Sequence, residues 1–214
     1  MLNDYTLFVT QLVTLWAVLD PIGHLPLYLG ATTALAEGER RRAAVLGALI
    51  AFGILAVFSK AGQVLLHAMG VSLLSFQIAG GIILFLFAIS MVLGDTKHAA
   101  EPATGPGASE DRALSVAVHP LATLIIAGPG SLLTMVLLMD NNRYSALQQT
   151  ITLAALAVIL CLMLGIFLLG EPIRRFIGAG GTNVLRRVMG LILAALAVNT
   201  ILSAIALWLH LPEI

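Results

Sequence analysis

Long apolar runs separated by short polar breaks set the pattern of this chain. The runs fall near residues 5–35, 43–66, 71–94, 113–139, 147–170 and 184–209, and each is about as long as the roughly 20 residues a helix needs to cross the hydrocarbon core of a bilayer, or longer. Ten-residue segments of alternating polarity, the mark of a transmembrane barrel, do not occur. Helices remain, because backbone facing lipid must satisfy its own hydrogen bonds. The pattern therefore predicts an all-α membrane protein with six transmembrane segments. Segments one and four carry helix breakers at mid-depth: Asp20-Pro21-Ile22-Gly23-His24-Leu25-Pro26 in the first and Gly128-Pro129-Gly130-Ser131 in the fourth. These two are expected to be discontinuous, and the other four to be continuous scaffold helices.

Composition sharpens this picture. Of 214 residues 59% are hydrophobic and only 10% charged, with a mean hydropathy of +1.01, against roughly 25% charge in soluble domains. A single membrane domain accounts for the length. Net charge is zero and no long basic run occurs, which argues against nucleic acid as a partner. With Cys161 as the lone cysteine, no intrachain disulfide can form, and it is expected simply to pack. His24, His67, His98, His119 and His210 are scattered without ligand spacing, and no P-loop, nucleophile-elbow or dinucleotide signature stands in its required context. Those absences point away from an enzyme, and no cofactor is implied. The run from Tyr5 to Leu19 has Asp4 where a signal peptide has a basic region, and it ends in Asp20-Pro21 without a small-x-small cleavage site, so it is expected to stay in the fold.

Charge placement predicts orientation. Arg40, Arg41, Arg42, Lys97, Arg112, Arg174, Arg175, Arg186 and Arg187 lie in alternate connections, with only Lys60 and Arg143 on the opposite side. By the positive-inside rule the rich side is cytoplasmic and both termini are outside. Arg40 to Arg42 then anchor the second helix, and Lys60 is expected to snorkel at the outer end of that helix. The stretch 95–112, rich in Pro, Gly, Ala and charge, predicts a cytoplasmic linker between a first three-helix repeat, 1–94, and a second, 113–214. Ala79-Gly80-Gly81-Ile82-Ile83-Leu84 parallels Val188-Met189-Gly190-Leu191-Ile192-Leu193, and Pro21 parallels Pro129 at nearly the same separation. Because each half has three segments, the second runs opposite to the first, and the expected architecture is a 3+3 inverted repeat.

The paired breaks are the candidate site. Pro21 removes an amide and disrupts the preceding turn, while Gly23 and Pro26 add a flexible point and a further restriction, so several backbone groups lose helical partners. At membrane depth such groups are tolerable against neighbouring protein or a polar cavity. Asp20 costs about 2.5–3.5 kcal/mol near the bilayer centre, so it needs a partner. Protonatable, it couples proton movement; ionised, it holds an ammonium or another cation; and it can equally cap the half-helix after Pro21. Gly128, Pro129, Gly130 and Ser131 leave amides free at the start of a half-helix, a place suited to a carboxylate. Thr134 adds a hydroxyl on the face of Ser131, and Gln77 and Asn199 add amides in segments three and six.

Taken together, Asp20-Pro21-Ile22-Gly23-x-x-Pro26, Phe76-Gln77-Ile78-Ala79-Gly80-Gly81, Pro120-Leu121-Ala122 leading to Ala127-Gly128-Pro129-Gly130, and Met189-Gly190-Leu191-Ile192-Leu193-Ala194 resemble the MarC family, a group that includes small neutral amino acid transporters of the SnatA type. The resemblance covers nearly the whole chain. It implies six membrane helices, a bacterial-type inner membrane and transport of a glycine- or alanine-sized amino acid. Asp20 would serve a coupling proton or Na+, and the substrate would bind among Asp20, Pro21, Gly23, Gln77, Gly128, Pro129, Gly130, Ser131, Thr134 and Asn199. His24 departs from the small or amide residue usual in the first break, which leaves pocket size and coupling ion open. An exporter or permease of another small solute, and a membrane assembly or regulatory protein without transport, remain alternatives. Substrate identity, direction and oligomeric state stay open as well.

Overall fold

The computed structural model describes residues 4–93 and 111–211, apart from the side chains at 174–177, 179, 182 and 185. The expected linker, 95–112, lies almost wholly outside the described residues, which contain helices and no strands. In order these are α1 (Asp4–Leu19), α2 (Leu25–Ala31), α3 (Glu37–Ala68), α4 (Leu73–Leu93), α5 (Arg112–Val116, widening into π-helical turns over Ala117–Ile126), α6 (Pro129–Leu138), α7 (Ala146–Leu168) and α8 (Gly170–Trp208). Four helices are long and apolar enough to cross a membrane: α3, α4, α7 and the Arg186–Trp208 part of α8. The α5–α6 pair, bent by 63°, supplies a fifth crossing if its two limbs count as one. At 16 residues, α1 is short of the ~20 needed to cross alone.

Local chemistry explains where the helices stop. Glu39 Oε2 accepts the free amide of Ala36 at 3.0 Å, and Glu37 adds negative charge to the first turn of α3. After α3, Gly70 takes φ +67°, and the turn closes through Gly70 N to His67 O and Val71 N to Leu66 O, a helix ending that favours glycine. Ser145 and Gln148 form a reciprocal capping box at the start of α7. Within segment four, His119 lies in the extended region before Pro120, as the residue before a proline is driven to do, and Ala127 N reaches Ala122 O across a wide turn. In α8 the chain breaks at Gly178, φ +70°, so a helical arm precedes the expected 184–209 segment.

Two apolar clusters organise the packing. The larger joins α1, α2 and α3 to segment four and α7 around Leu15, Leu55, Leu121, Met135 and Ile159; the smaller lies between α4 and α8 around Leu84, Ala88, Met91, Leu193 and Ala197. The α4–α8 contact depends on absent side chains. A Cβ at Gly81 would meet Ile201 Cγ1 at 2.6 Å and Ala197 O at 3.4 Å; one at Gly190 would meet Val92 Cγ2 at 2.9 Å and Ala88 O at 3.0 Å. Gly80 gives the same close fit to Leu133 of α6. Small residues are what allow membrane helices to approach this closely. Across the bundle, α3 packs on segment four and α1 packs on α7. Large apolar side chains such as Leu49, Val57, Leu86, Leu191 and Leu202 stay on the outside, the surface expected to meet lipid. Cys161 is also exposed there, on α7.

Polar side chains gather where α6 ends and α7 begins. Gln149 donates to Met139 O, Asn141 Oδ1 and Tyr144 O, Gln63 donates to Val136 O, and Lys60 reaches from α3 to Gln149 Oε1. Lys60 is therefore bonded to a neighbouring helix. These bonds satisfy carbonyls that a helix C-terminus leaves without partners.

Gly81→Leu and Gly190→Leu should each destabilise the purified protein by about 1–3 kcal/mol or more through overpacking. Gly53→Ala, where nothing lies within 4 Å of the added Cβ, should be neutral or slightly stabilising. Thermal unfolding in detergent checks all three, and equal effects at the three glycines would contradict the close-packed α4–α8 interface.

Candidate functional site

The first break is built around Asp20. It adopts φ +39°, a left-handed conformation that Asp and Asn tolerate better than other non-glycine residues. Pro21 follows it, buried, and ends α1 by removing an amide. The freed groups are then re-bonded locally: Gly23 N donates to Asp20 Oδ1 at 3.0 Å, and Asp20 O accepts from His24 N at 3.0 Å and from His24 Nδ1 at 3.0 Å. A carbonyl only accepts, so His24 Nδ1 carries a proton and donates it there. Asp20 is fully buried, and its second carboxylate oxygen has no hydrogen-bond partner. A Cβ on Gly23 would run into that carboxylate, so glycine is dictated here by close approach.

The second break is simpler. Gly128 is extended, Pro129 opens α6, and the first amide bond within the helix runs from Leu132 N to Gly128 O. The amides of Gly130 and Ser131 thus have no partner within the helix, at an end that carries partial positive charge.

Between the two breaks lies a cavity of about 390 Å³, lined by Gly23, His24 and Leu27 from the first, Leu124, Gly128, Pro129, Gly130 and Ser131 from the second, a stripe of α4 from Ile83 to Met91, and Arg186. That volume falls within the ~300–1,000 Å³ usual for small-molecule sites. The His24 ring is stacked on Phe87 at 5.7 Å. A smaller cavity of about 90 Å³, lined by Thr14, Leu133, Thr134, Leu137, Leu138, Leu196 and Thr200 among others, lies beside it. Val18 and Leu84 line both cavities, and both stand over Gly130, whose added Cβ would meet Leu84 at 2.6 Å and Val18 at 3.6 Å. These three residues form an apolar wall between the two spaces.

The structure thus gathers Gly23, Gly128, Pro129, Gly130 and Ser131 around one cavity and puts Thr134 in the other. Asp20 and Pro21 are not lining residues; they sit behind Gly23. Gln77 and Asn199 line neither cavity. The amide of Gln77 donates to Thr200 O at 2.9 Å, tying α4 to α8, and Asn199 is exposed on α8. Phe87 and Ser90, and Arg186, read from the sequence only as a charge that sets orientation, join the large cavity, because only helix packing turns their faces inward. Gln11 was missed too: it is buried in α1 and its amide is unpartnered. Among the described residues no cluster of three His, Cys, Asp or Glu side chains could hold a metal ion.

A family model described as MarC family integral membrane protein matches residues 5–209. The chain belongs to the MarC family. MarC relatives match it end to end: a membrane protein of Methanocaldococcus jannaschii is 32% identical over 209 residues, covering 94% of this chain and 97% of that one. The Escherichia coli inner membrane protein YhgN is 31% identical over 206 residues, with the same 94% and 97% coverage. A membrane protein of Archaeoglobus fulgidus is 29% identical over 199 residues, covering 93% and 92%. No solved structure gives a significant match to this MarC chain. It is an integral membrane protein, and the YhgN relative is named for the inner membrane.

Asp20→Asn keeps the acceptor for Gly23 N and tolerates the left-handed backbone, whereas Asp20→Ala removes the acceptor. Thermal unfolding should find Asn close to wild type and Ala destabilised by about 1 kcal/mol, the usual worth of a cap. Gly23→Ala should be more severe than either, since the carboxylate has to move; a neutral Gly23→Ala would refute the close contact.

Proposed function

We propose that the chain is a secondary transporter of small neutral amino acids that works by alternating access across an inner membrane, with six spanning segments in a 3+3 inverted repeat. The observation that carries this reading is the pair of cavities between two broken segments, divided by Val18, Leu84 and Gly130. A path occupied on both sides of a thin apolar wall is what alternating access requires, and broken helices near mid-membrane are where transporters hold polar solutes.

Reciprocal packing supports the repeat. One step along the sequence carries Gly81 to Gly190, Ala88 to Ala197 and Val92 to Ile201. Gly81 packs on Ala197 and Ile201, and Gly190 packs on Ala88 and Val92. Each glycine thus meets the counterparts of the residues that meet the other, the signature of a contact across a two-fold axis. The same step takes the first residue of α3 to the first of α7.

With the basic connections on the cytoplasmic side, the large cavity containing Arg186 faces inward and the small one outward. The Gly130 and Ser131 amides then receive the substrate carboxylate. Asp20 acts behind Gly23, as the group that shapes the break and as the coupling group for a proton or Na+. The apolar wall of the large cavity favours, as a second reading, a permease for a different small solute. A non-transporting assembly role would leave both cavities without a use.

Counterflow of glycine and alanine in proteoliposomes should fall in Asp20→Asn and be abolished in Gly130→Leu; wild-type flux in both variants would sink the proposed site. In a Cys161→Ser background, Ser131→Cys and Thr134→Cys should react with an impermeant thiol reagent from opposite sides of the membrane. Labelling of both from one side would remove the dividing wall.

A further inference from the structure

We infer that Arg186 anchors the substrate carboxylate in the large cavity, and that the cavity binds neutral amino acids with a branched or thioether apolar side chain more tightly than the glycine and alanine it also carries. The inference rests on the transport reading above and concerns what the same cavity selects.

Among the described residues Arg186 lacks an acidic partner, as the exposed Arg112 and Arg187 do, but of the arginines it alone lines the cavity. Arg40 lies 4.0 Å from Glu171, and Arg41, Arg42 and Arg143 face Glu37, Asp111 and Asp140 at 2.6, 2.6 and 3.6 Å. Among the described residues no hydrogen bond or ion pair engages the Arg186 guanidinium, although it lines the cavity. A charge left unpaired beside apolar surface is costly, and a guanidinium is shaped to take a carboxylate through two parallel hydrogen bonds.

The same cavity supplies a second free donor. Ser131 is 95% buried, its residue exposure being 5%, and its hydroxyl has no partner among the described residues. Thr10, Thr14, Thr32, Thr33 and Thr200 all bond back to carbonyls of their own helices, the default for a hydroxyl on a membrane helix. Ser131 instead presents its hydroxyl to the cavity beside the free amides of α6. No carboxylate lines the space, so its polar groups are mostly donors, matched to an acceptor.

Size decides the other end. A glycine or alanine held by its carboxylate would cover little of a 390 Å³ space lined by Leu27, Ile83, Leu86, Phe87, Met91 and Leu124. Walls without facing atoms forfeit their dispersion contacts, and covering apolar surface is the main favourable term available there. Several of these residues reach the outer surface of the bundle, so an anionic lipid headgroup is the other source of the same chemistry.

The test uses the full chain in detergent. Thermal shift with L-leucine, glycine, leucinamide and phosphatidylglycerol should rank leucine above glycine and give no shift with leucinamide, which lacks the carboxylate. Arg186→Gln should weaken leucine binding about ten- to a hundredfold, the cost of a charged hydrogen bond. Arg186→Lys should recover part of this loss, and Arg187→Gln, at an exposed neighbour, should change nothing. Unchanged leucine affinity in Arg186→Gln overturns the proposal, as does a leucinamide shift equal to that of leucine on the wild type. The latter readout needs no variant to fold. A phosphatidylglycerol shift lost in Arg186→Gln, with none from leucine, assigns the guanidinium to lipid and also overturns it. Glycine flux in proteoliposomes without leucine binding defeats this inference and leaves the transport reading standing, whereas no flux and no shift with any amino acid defeats both.

Discussion

In hydrocarbon there is no water to rescue an unpaired amide, so the rest of the structure depends on how this chain interrupts two helices and where it leaves the freed backbone groups. The two breaks solve the problem differently. At Asp20 the chain closes on itself: the carboxylate takes Gly23 N, and the carbonyl takes both the amide and the ring of His24. At Gly128 the chain leaves the Gly130 and Ser131 donors unbonded within the helix and turned to a cavity. One break turns its freed backbone groups back on itself and the other leaves donors at the start of a helix, and the cavity lies between them.

Glycine holds this arrangement together by subtraction. Gly80 admits Leu133 of α6, while Gly81 and Gly190 let α4 and α8 interlock as a pair. Gly130 admits Val18 and Leu84, which close the space between the two cavities. The contact at Gly130 involves single side chains over a small residue, so a modest shift of α4 against α6 would open it.

Much of the fold was legible because the bilayer imposes a length. The runs near 43–66, 71–94 and 147–170 became α3, α4 and α7, with ends shifted by only a few residues except at the start of α3. The breaks at Asp20-Pro21 and Gly128-Pro129 were legible because proline removes an amide wherever it stands. The π-helical turns after His119 and the helical arm before Gly178 were not. The first needed the neighbours that stabilise a wide turn around Pro120, and the second is too short and polar to register as an apolar run. Within the site, Gly128 to Ser131 were legible from the breaker itself. Gln77 and Asn199 misled because an amide in an apolar helix signals only that it needs a partner: Gln77 found one in Thr200 O across the α4–α8 interface, and Asn199 faces outward.

The sequence by itself determined that this is a membrane protein of the MarC family, with helices of given lengths interrupted at two given places. Hydropathy, proline and charge placement act locally and along the chain, so a linear reading captures them. Tertiary structure alone decided which faces those interruptions share. It set Asp20 behind Gly23 and out of the cavity, brought His24, Phe87, Ser131 and Arg186 to the lining of one cavity, and made Val18 and Leu84 common to two spaces. Those are relations between residues on different helices, fixed by how small residues let the helices approach, and one helical period read alone does not contain them.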